Sequence, residues 1–245
     1  MAADSPPADP ALDARVDALL ARIDTAARAA DRDPSDVLVL LATKTRTPAE
    51  VAAALRAFHA RGVTVAVGEN RAQEIATHED PQLAALEAEL RVARHFIGRL
   101  QRNKARDVID FASLVHSVDR DEIADALEHR AALAGVERDV LIQVNTSGEE
   151  SKGGYAPTPE AVGAALAHLD ARPHLRVTGL MTIGANTTDE PAVRASLSQL
   201  RVLRDGLGRP EVRELSMGMS ADLEIAVAEG ASIVRVGSAV FGPRS

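Results

Sequence analysis

The chain has 245 residues, a formal net charge of −8 and 46% hydrophobic residues, which suffices for one α/β domain with a full core. Because clustered Lys and Arg supply the affinity for phosphate backbones, the negative charge argues against a nucleic acid as the main partner. Cysteine is absent, which excludes disulfides, thiolate metal sites and cysteine nucleophiles.

The N-terminal segment MAADSPPAD, residues 1–9, is predicted to be disordered. It has neither the basic region nor the apolar core of a signal peptide. The longest apolar run, residues 37–42, is far shorter than the ~20 residues that span a bilayer. We therefore expect a soluble cytoplasmic protein. Asp9 as cap and Pro10 in the first turn then predict a helix over residues 11–30.

From residue 37 onward, short β-branched runs alternate with helical patterns, which is typical of parallel βα units. Helix starts are predicted at Pro48, at Asp119 with Glu122 as a capping box, at Thr158 and at Ser220. The predicted strands are residues 37–44, 63–68, 95–100, 114–118, 140–146, 177–183, 214–218 and 233–240.

Eight strands with helical crossovers predict a single (β/α)8 TIM barrel over residues 10–245. A doubly wound open sheet is the alternative that the strand count leaves open. Only FGPRS follows the last predicted strand, so no eighth helix is expected there. The N-terminal helix is predicted to cover that part of the barrel instead.

Lysine is rare in this chain: Lys44, Lys104 and Lys152 are three of 28 basic residues. An amine can lose its proton and attack a carbonyl, whereas a guanidinium cannot. Lys44 ends the first predicted strand on the face of Leu38 and Leu40. At the rim of a barrel, burial would lower its pKa and favour a Schiff base. Chance retention is the alternative, and it is the preferred interpretation for Lys104, at a solvated helix start, and for Lys152, in a flexible loop.

Two glycine-containing segments after predicted strands resemble phosphate binders. SMGMS, residues 216–220, leads to a helix N-terminus, where free N–H groups favour an anion, and Gly237 and Ser238 follow the last strand. Either pattern alone is more typical of an ordinary turn, but the loops after strands seven and eight are the usual phosphate site of this barrel. Strand alternation places Arg235 on the same face of the eighth strand as Ile233. Arg235 is predicted to face the pocket rather than a sheet edge.

A lysine, a phosphate cradle and an inward arginine are the parts that a pyridoxal 5′-phosphate (PLP) site needs. The segments TKTRTP, GENRAQE, HFIGRLQRNK, HSVDR, QVNTSGEESKGG, GLMTIGA and LSMGMSADLEIAVAEGASIVRVGSAVFG resemble the YggS/PROSC family, the pyridoxal phosphate homeostasis proteins. The resemblance implies a fold-type III barrel similar to the N-terminal domain of alanine racemase, with the cofactor bound as an aldimine to Lys44. Family members commonly carry a second lysine where this chain has Arg46. The implied cofactor contacts come from further strand ends: Asn70, Ser216, Gly218, Met219, Arg235 (at the pyridine nitrogen), Gly237 and Ser238.

Two classes of function fit such a site: a non-catalytic carrier that buffers or delivers PLP, and a PLP-dependent amino-acid racemase or related enzyme. A regulatory protein with an unused site is a third possibility. The racemases that the chain resembles take a second base, a tyrosine, from an additional domain, whereas the single tyrosine here, Tyr155, lies in a glycine-rich loop. A permanent charge from Arg235 also disfavours protonation of the pyridine nitrogen and weakens the ring as an electron sink. We therefore predict a monomeric carrier without a metal site, whose partners are PLP and PLP-dependent apo-enzymes.

Overall fold

The computed structural model describes residues 9–149 and 152–243 of the chain. Within these residues, eight parallel strands close into a barrel in sequence order, and β1 pairs with both β2 and β8. This confirms the predicted (β/α)8 barrel and excludes the open sheet. The strands are β1 (Leu38–Ala42), β2 (Val65–Glu69), β3 (Ala93–Phe96), β4 (Leu114–Val118), β5 (Arg138–Gln143), β6 (Leu175–Met181), β7 (Glu214–Ser216) and β8 (Ile233–Val236).

Helices connect successive strands and pack on the outside of the barrel. Short 3-10 helices cover Pro34–Asp36, Ala72–Glu79 and Arg102–Lys104. None of the described helices is both long and apolar enough to cross a membrane. The α-helices in the described part of the chain are α1 (Pro10–Ala29), α2 (Pro48–His59), α3 (Pro81–Glu89), α4 (Ala105–Phe111), α5 (Asp121–Ala134), α6 (Pro159–Asp170), α7 (Glu190–Gly206), α8 (Leu223–Ala228) and α9 (Ser238–Phe241).

The strand boundaries differ from those predicted from apolar runs. β1 ends at Ala42, because the chain turns at the next residues, and β3 covers Ala93–Phe96 instead of residues 95–100. β5 and β6 both begin two residues earlier than predicted. The added residues pair in the sheet, Arg138 with Leu175 and Asp139 with Arg176, and an apolar pattern does not show such charged residues. Arg176 also forms an ion pair with Asp139 (2.7 Å). The eighth strand ends before Ser238, where α9 begins.

Of the four helix starts predicted after residue 37, two were right and two were wrong. Thr158 caps α6 and Pro48 begins α2, as predicted. Asp119 does not cap α5, which begins at Asp121, because its carboxylate instead binds Arg120 at 2.5 Å. Ser220 does not cap α8 either, because its hydroxyl accepts the N–H of Ala239 from the segment after β8.

The N-terminal helix fills the gap in the helical layer, as predicted. Asp9 accepts hydrogen bonds from the N–H groups of Ala11 and Leu12, and α1 packs against α2, α8 and α9. Arg15 of α1 also donates to the carbonyl oxygen of Val240 at 2.6 Å. α9 is a single turn that the sequence analysis did not predict. Residues 1–8 of the predicted disordered segment lie outside the described residues, as do residues 150, 151, 244 and 245.

Strand alternation divides the buried residues into two cores. The outer core lies between the barrel and the helices, and it includes Val39 and Leu41 of β1. The inner core lies inside the barrel, where Leu40 of β1 and Ile233 of β8 meet residues of the other strands. The side of β1 that holds Leu38 and Leu40 therefore faces the interior, as expected for the strand that precedes Lys44.

Candidate functional site

Lys44 lies in a tight turn directly after β1, at the C-terminal end of the barrel. The turn is closed by a hydrogen bond from the N–H of Arg46 to the carbonyl oxygen of Thr43 (3.0 Å). Thr45, the third residue of this turn, has φ = +64°, a left-handed conformation that is an outlier for a β-branched residue. Lys44 itself is half-buried. The amine is thus carried by a strained turn rather than by the regular strand.

Asn70, which follows β2, leaves a buried polar atom unsatisfied. Its Oδ1 is buried and has no hydrogen-bond partner among the described residues. Its backbone is packed so tightly that a Cβ built at Gly98 would lie 1.7 Å from the Asn70 carbonyl oxygen. An unpaired buried acceptor costs about 1–3 kcal/mol. A ligand that donates a hydrogen bond to Asn70 would remove this cost.

The two segments predicted to bind phosphate lie side by side. Ser238 Oγ donates to Ser220 Oγ at 3.3 Å, and the N–H of Ala239 donates to the same oxygen at 3.3 Å. Gly218 has φ = +88°, and a Cβ built there would lie 2.3 Å from Ala226 Cβ. The backbone at position 218 therefore requires glycine.

Met219 and Gly237 belong to these two segments, and each has a defined contact within the protein. The N–H of Met219, a predicted phosphate contact, donates to Asp222 Oδ1 at 2.6 Å. Gly237 lies next to β1, because a Cβ built there would be 3.5 Å from the carbonyl oxygen of Ala42. The segment of Gly237 and Ser238 therefore borders the strand that carries the Lys44 turn.

Arg235 extends from β8 into the barrel interior, where it is 7% exposed. Its Nη1 donates to Ser216 Oγ and its Nη2 to the carbonyl oxygen of Thr182, each at 2.8 Å. Because β8 pairs with both β7 and β1, the prediction that Arg235 does not lie at a sheet edge is confirmed. Burial lowers the pKa of Arg235 to about 10, which leaves the guanidinium charged at neutral pH.

A row of hydrogen bonds leads from Arg235 through Ser216 across the barrel interior. Because arginine only donates, Ser216 Oγ accepts from Arg235, and the same oxygen is hydrogen-bonded to His116 Nδ1 (2.8 Å). His116 Nε2 is in turn hydrogen-bonded to His95 Nδ1 (3.0 Å). The Ser216 hydroxyl is thus used inside the barrel, and its role toward phosphate stays a prediction. We call Arg235, Ser216, His116 and His95 the inner chain.

The two histidines of the inner chain are neutral. Burial, with added repulsion from His95 and Arg235, lowers the pKa of His116 well below its ordinary value. Burial also lowers the pKa of His95 to about 4, although the charge of Asp139 acts in the opposite direction. His95 borders a cavity of about 1230 Å³ at the N-terminal end of the barrel. Because barrel enzymes use the C-terminal end, we place the site at Lys44 and not at this cavity.

A second polar chain runs between the barrel and the helices around it. Thr43 Oγ1 donates to Glu69 Oε1 (2.6 Å), and His78 Nε2 bonds the same oxygen (2.9 Å). His78 Nδ1 bonds Glu87 Oε1 (2.6 Å), and the other oxygen of Glu87 accepts from Arg94 Nε (2.7 Å). We call Thr43, Glu69, His78, Glu87 and Arg94 the outer chain.

The two carboxyl groups beside His78 favour the charged form of the histidine in the outer chain. Both ring nitrogens of His78 face carboxylate oxygens, which only accept hydrogen bonds, so both nitrogens must carry protons. Burial by itself lowers the pKa of His78, but the hydrogen bonds to Glu69 and Glu87 outweigh it and the pKa is raised. Charges of alternating sign therefore run from the buried Glu69, His78 and Glu87 to Arg94, whose side chain is 32% exposed.

The other residues weighed for chemistry are engaged elsewhere. Tyr155 Oη donates to Asp121 Oδ1 (2.7 Å), and burial together with this hydrogen bond raises the pKa of the phenol. Lys152 Nζ donates to Glu149 Oε1 (2.7 Å) and to the carbonyl oxygen of Gly184. Lys104 directly precedes α4, and its Nζ lies 3.3 Å from Asp107 Oδ2, as expected for a residue at a helix start. No group of three or more His, Asp or Glu within the described residues is arranged to hold a metal ion.

The sequence analysis missed the buried partners of these residues. His95 lies two residues from Ile97 and His116 two residues from Leu114, so each shares its strand face with an apolar inner-core position. The same period of two placed Arg235 inside the barrel. Glu69 sits in the apolar run of β2, where a carboxylate is rare unless it is paired. The partner of Glu69 could not be found in this way, because His78 lies in a short 3-10 helix without a clear periodicity.

The chain is similar to known proteins in sequence and in fold. Residues 15–245 match the family model described as alanine racemase, N-terminal domain. A protein of Aquifex aeolicus named pyridoxal phosphate homeostasis protein is 40% identical, covering 94% of this chain and 97% of its own. One of the same name from Pseudomonas aeruginosa is 42% identical, covering 91% and 92%. The solved structure of PipY from Synechococcus elongatus with PLP bound superposes with a TM-score of 0.72 at 29% identity, covering 94% of this chain and 100% of PipY.

Proposed function

The chain belongs to the alanine racemase N-terminal domain family and, within it, to the pyridoxal phosphate homeostasis proteins, and we propose on this premise that it is a PLP carrier. In this proposal the protein holds PLP on Lys44 through a reversible covalent bond, and it buffers or delivers the cofactor without a catalytic activity of its own. PLP supplies a reactive aldehyde, which a lysine amine captures with loss of water.

One observation carries the proposal: the Lys44 turn, the segments around Gly218 and Ser238, and the inner chain with Arg235 all belong to one barrel with one C-terminal end. Such an end is where barrels with this topology bind their ligands. Its chemistry matches the three functional parts of PLP, which are an aldehyde, a phosphate and a ring nitrogen.

The fit of the individual residues to PLP supports the same conclusion. Asn70 has a buried acceptor that lacks a partner in the described part of the chain and would be satisfied by a donor on the ligand. The left-handed Gly218 lets the backbone approach an anion without a side chain in between. Arg235 remains charged at neutral pH and disfavours a proton on a nearby ring nitrogen.

The state of Tyr155 favours a carrier over a racemase. A racemase needs a second base on the other face of the substrate carbon, and Tyr155 is the single tyrosine of the chain. Its hydroxyl is bound to Asp121, and its raised pKa opposes loss of the phenolic proton. His116 is buried inside the barrel and occupied at both ring nitrogens. Neither residue is prepared to move a proton on a bound amino acid.

The partners proposed from the sequence are PLP and the apo-enzymes that need it, with the protein acting as a monomer. The large exposed apolar residues of the described surface, Leu133, Ile183, Val202 and Met219, come from different elements. Stable interfaces need a contiguous apolar centre. The scattered positions support transient contact with partners more than a permanent dimer.

Reduction with borohydride tests the proposed function. The protein is incubated with limiting PLP, reduced, digested and mapped by mass spectrometry. We expect the label on Lys44, and loss of both the label and the absorbance of the adduct in Lys44→Ala. Lys152→Ala is the matched control and keeps both signals. Label on Lys152 or Lys104 before Lys44 contradicts the site.

A separate measurement tests the carrier against the racemase. The protein loaded with PLP is incubated with single amino acids in deuterated water. We expect no exchange of the α-proton above that caused by free PLP. Exchange that depends on Tyr155 or on His116 would support the enzyme instead.

A further inference from the structure

We propose that Thr43 is a positioning residue for Lys44: through its hydrogen bond to the outer chain, it holds the strained turn that aims the amine. This inference rests on the proposed function insofar as Lys44 is taken as the point of attachment. It goes further, because it assigns a role to a threonine and to a buried ionic chain outside the barrel. None of these side chains needs to touch the cofactor.

The first step is the strain in the turn. A non-glycine residue in the left-handed region costs of the order of 1–3 kcal/mol and persists only where the surroundings enforce it. Thr45 has φ = +64°, and it is β-branched, so it has no favourable local reason to adopt this conformation. The direction in which Lys44 leaves the barrel depends on this turn. Neighbouring contacts must therefore fix the turn.

The second step is the anchor at the first residue of the turn. Thr43 is 1% exposed, and its N–H bonds the carbonyl oxygen of Gly68 at 3.2 Å, extending the ladder between β1 and β2. Its hydroxyl donates to Glu69 Oε1 at 2.6 Å, whereas the distance to the Gly68 carbonyl oxygen is 3.3 Å. The single hydroxyl proton therefore goes to the carboxylate. A bond to an ionised acceptor is stronger than one between neutral groups.

The third step is the rigidity of the acceptor. Glu69 is fully buried, and the oxygen that accepts from Thr43 also accepts from charged His78. His78 is held from its other side by Glu87, which accepts from Arg94. Each carboxyl group of the outer chain thus contacts a basic side chain. At Glu69 the oxygen shared by Thr43 and His78 is the fixed one, because Oε2 has no hydrogen-bond partner among the described residues and Glu74 lies nearby. A carboxylate fixed in this way gives the Thr43 hydroxyl one defined position.

The last residue of the turn has an anchor of its own. The Arg46 guanidinium lies 5.2 Å from the ring centre of Phe241, and it bonds Glu50 (3.2 Å) and the carbonyl oxygen of Gly242 (3.4 Å). These contacts remain when Thr43 is changed. Removal of the hydroxyl should therefore loosen the turn at its first residue without unfolding the loop.

A pair of substitutions at position 43 tests the inference. Thr43→Val keeps the shape and removes the hydroxyl, whereas Thr43→Ser keeps the hydroxyl. Each protein is treated with limiting PLP and borohydride, and the label on Lys44 is divided by that on Lys104. We expect Thr43→Val to lower this ratio at least fivefold and Thr43→Ser to restore it to within twofold of the original chain. Equal ratios in all three proteins would overturn the inference.

A second readout does not involve PLP. Amide hydrogen exchange over residues 43–46 is measured in the cofactor-free proteins. We expect faster exchange in Thr43→Val and unchanged exchange in Thr43→Ser. If the original chain is not labelled at Lys44, the proposed function fails, but the exchange comparison still decides whether Thr43 holds the turn.

If Thr43→Val does not fold, two substitutions of His78 repeat the comparison. His78→Gln places an amide where Nε2 bonds Glu69, whereas His78→Asn reaches only the Nδ1 position that bonds Glu87. We expect His78→Asn to lower Lys44 labelling and to speed exchange over residues 43–46 more than His78→Gln does. Identical effects of the two variants would overturn the inference.

Discussion

The inner and outer chains place histidines in equally buried surroundings and give them opposite charges. His116 and His78 are both almost inaccessible to solvent. His116 lies between a hydroxyl and a second imidazole, with the charge of Arg235 beyond them. His78 lies between two carboxylates. Burial lowers the pKa of both histidines, and only at His78 do carboxyl partners outweigh it.

The difference in protonation between His116 and His78 follows from where the inner and outer chains lie. The inner chain passes through the apolar centre, where a second positive charge near Arg235 would be repelled. The outer chain lies between elements that supply acids and bases in alternation, so charges can pair. The inner chain therefore orients a single cation through neutral groups, while the outer chain fixes a turn through ionic ones.

Breaking the outer chain is expected to have the largest effect on stability. Glu87→Leu removes a carboxylate from charged His78 and from Arg94. Removal of one partner of a buried ion pair costs about 3–5 kcal/mol. Urea unfolding at pH 7 should show this loss in the free energy of unfolding.

The control for this variant is Asp125→Leu. It breaks the exposed pair of Asp125 with His168 (3.0 Å) and Arg172 (2.5 Å). Exposed pairs contribute about 0–1 kcal/mol, so this variant should lose far less. Equal losses in both variants would mean that the outer chain is not a buried ionic network.

The two groups of side chains should affect the pH dependence of stability in opposite directions. The inner chain should destabilise the fold at acid pH, and the outer chain should lose its contribution at alkaline pH. An unfolded histidine takes up a proton near pH 6.5, whereas His95 in the fold does so only near pH 4. Between these values the unfolded state binds more protons, so the free energy of unfolding falls as the pH falls from 6.5. The expected loss is roughly 3 kcal/mol by pH 4. The raised pKa of His78 has the opposite effect: its contribution is complete below pH 6.5 and is lost as the pH rises through the raised value.

Urea unfolding between pH 4 and pH 9 measures both effects. His95→Gln should flatten the acid side of the stability curve, and His78→Gln should flatten the side above pH 6.5. If each variant shifts the whole curve without changing its slope, the assigned charges are wrong.

Alanine substitutions at Ser216 and at Ser117 test the hydrogen bonds of the inner chain. Ser216→Ala leaves both Arg235 Nη1 and His116 Nδ1 without their partner, at a cost of about 1–3 kcal/mol. Ser117 is the matched control, because its Oγ is buried without a hydrogen-bond partner in the described structure. Ser117→Ala should therefore be neutral or slightly stabilising in urea unfolding. A loss in Ser117→Ala as large as in Ser216→Ala would contradict the inner chain.

The parts of the molecule that were predictable from the sequence depend on local pattern. Apolar runs located all eight strands, and the period of two placed Arg235 on the same face as Ile233, inside the barrel. The partners of Arg235 depend on barrel closure, which joins His116 to Ser216 across 100 residues. Closure is a property of the whole sheet, and no short segment specifies it. For the same reason the Lys44 turn was predicted as strand, since Thr43 is held by a carboxylate from β2.

The smallest expected effect concerns the second anchor of the Lys44 turn, Arg46, which is partly buried whereas Thr43 is fully buried. Arg46→Lys keeps the charge near Glu50, but it loses the planar group that lies over Phe241 and reaches Gly242. A cation over an aromatic ring at a partly exposed site contributes about 0.5–1 kcal/mol, so urea unfolding should show a loss of that size. Labelling of Lys44 should stay within twofold of the original, because Thr43 still holds the first residue of the turn. A fivefold drop in labelling would instead make Arg46, and with it the surface of the barrel, the part that aims the lysine.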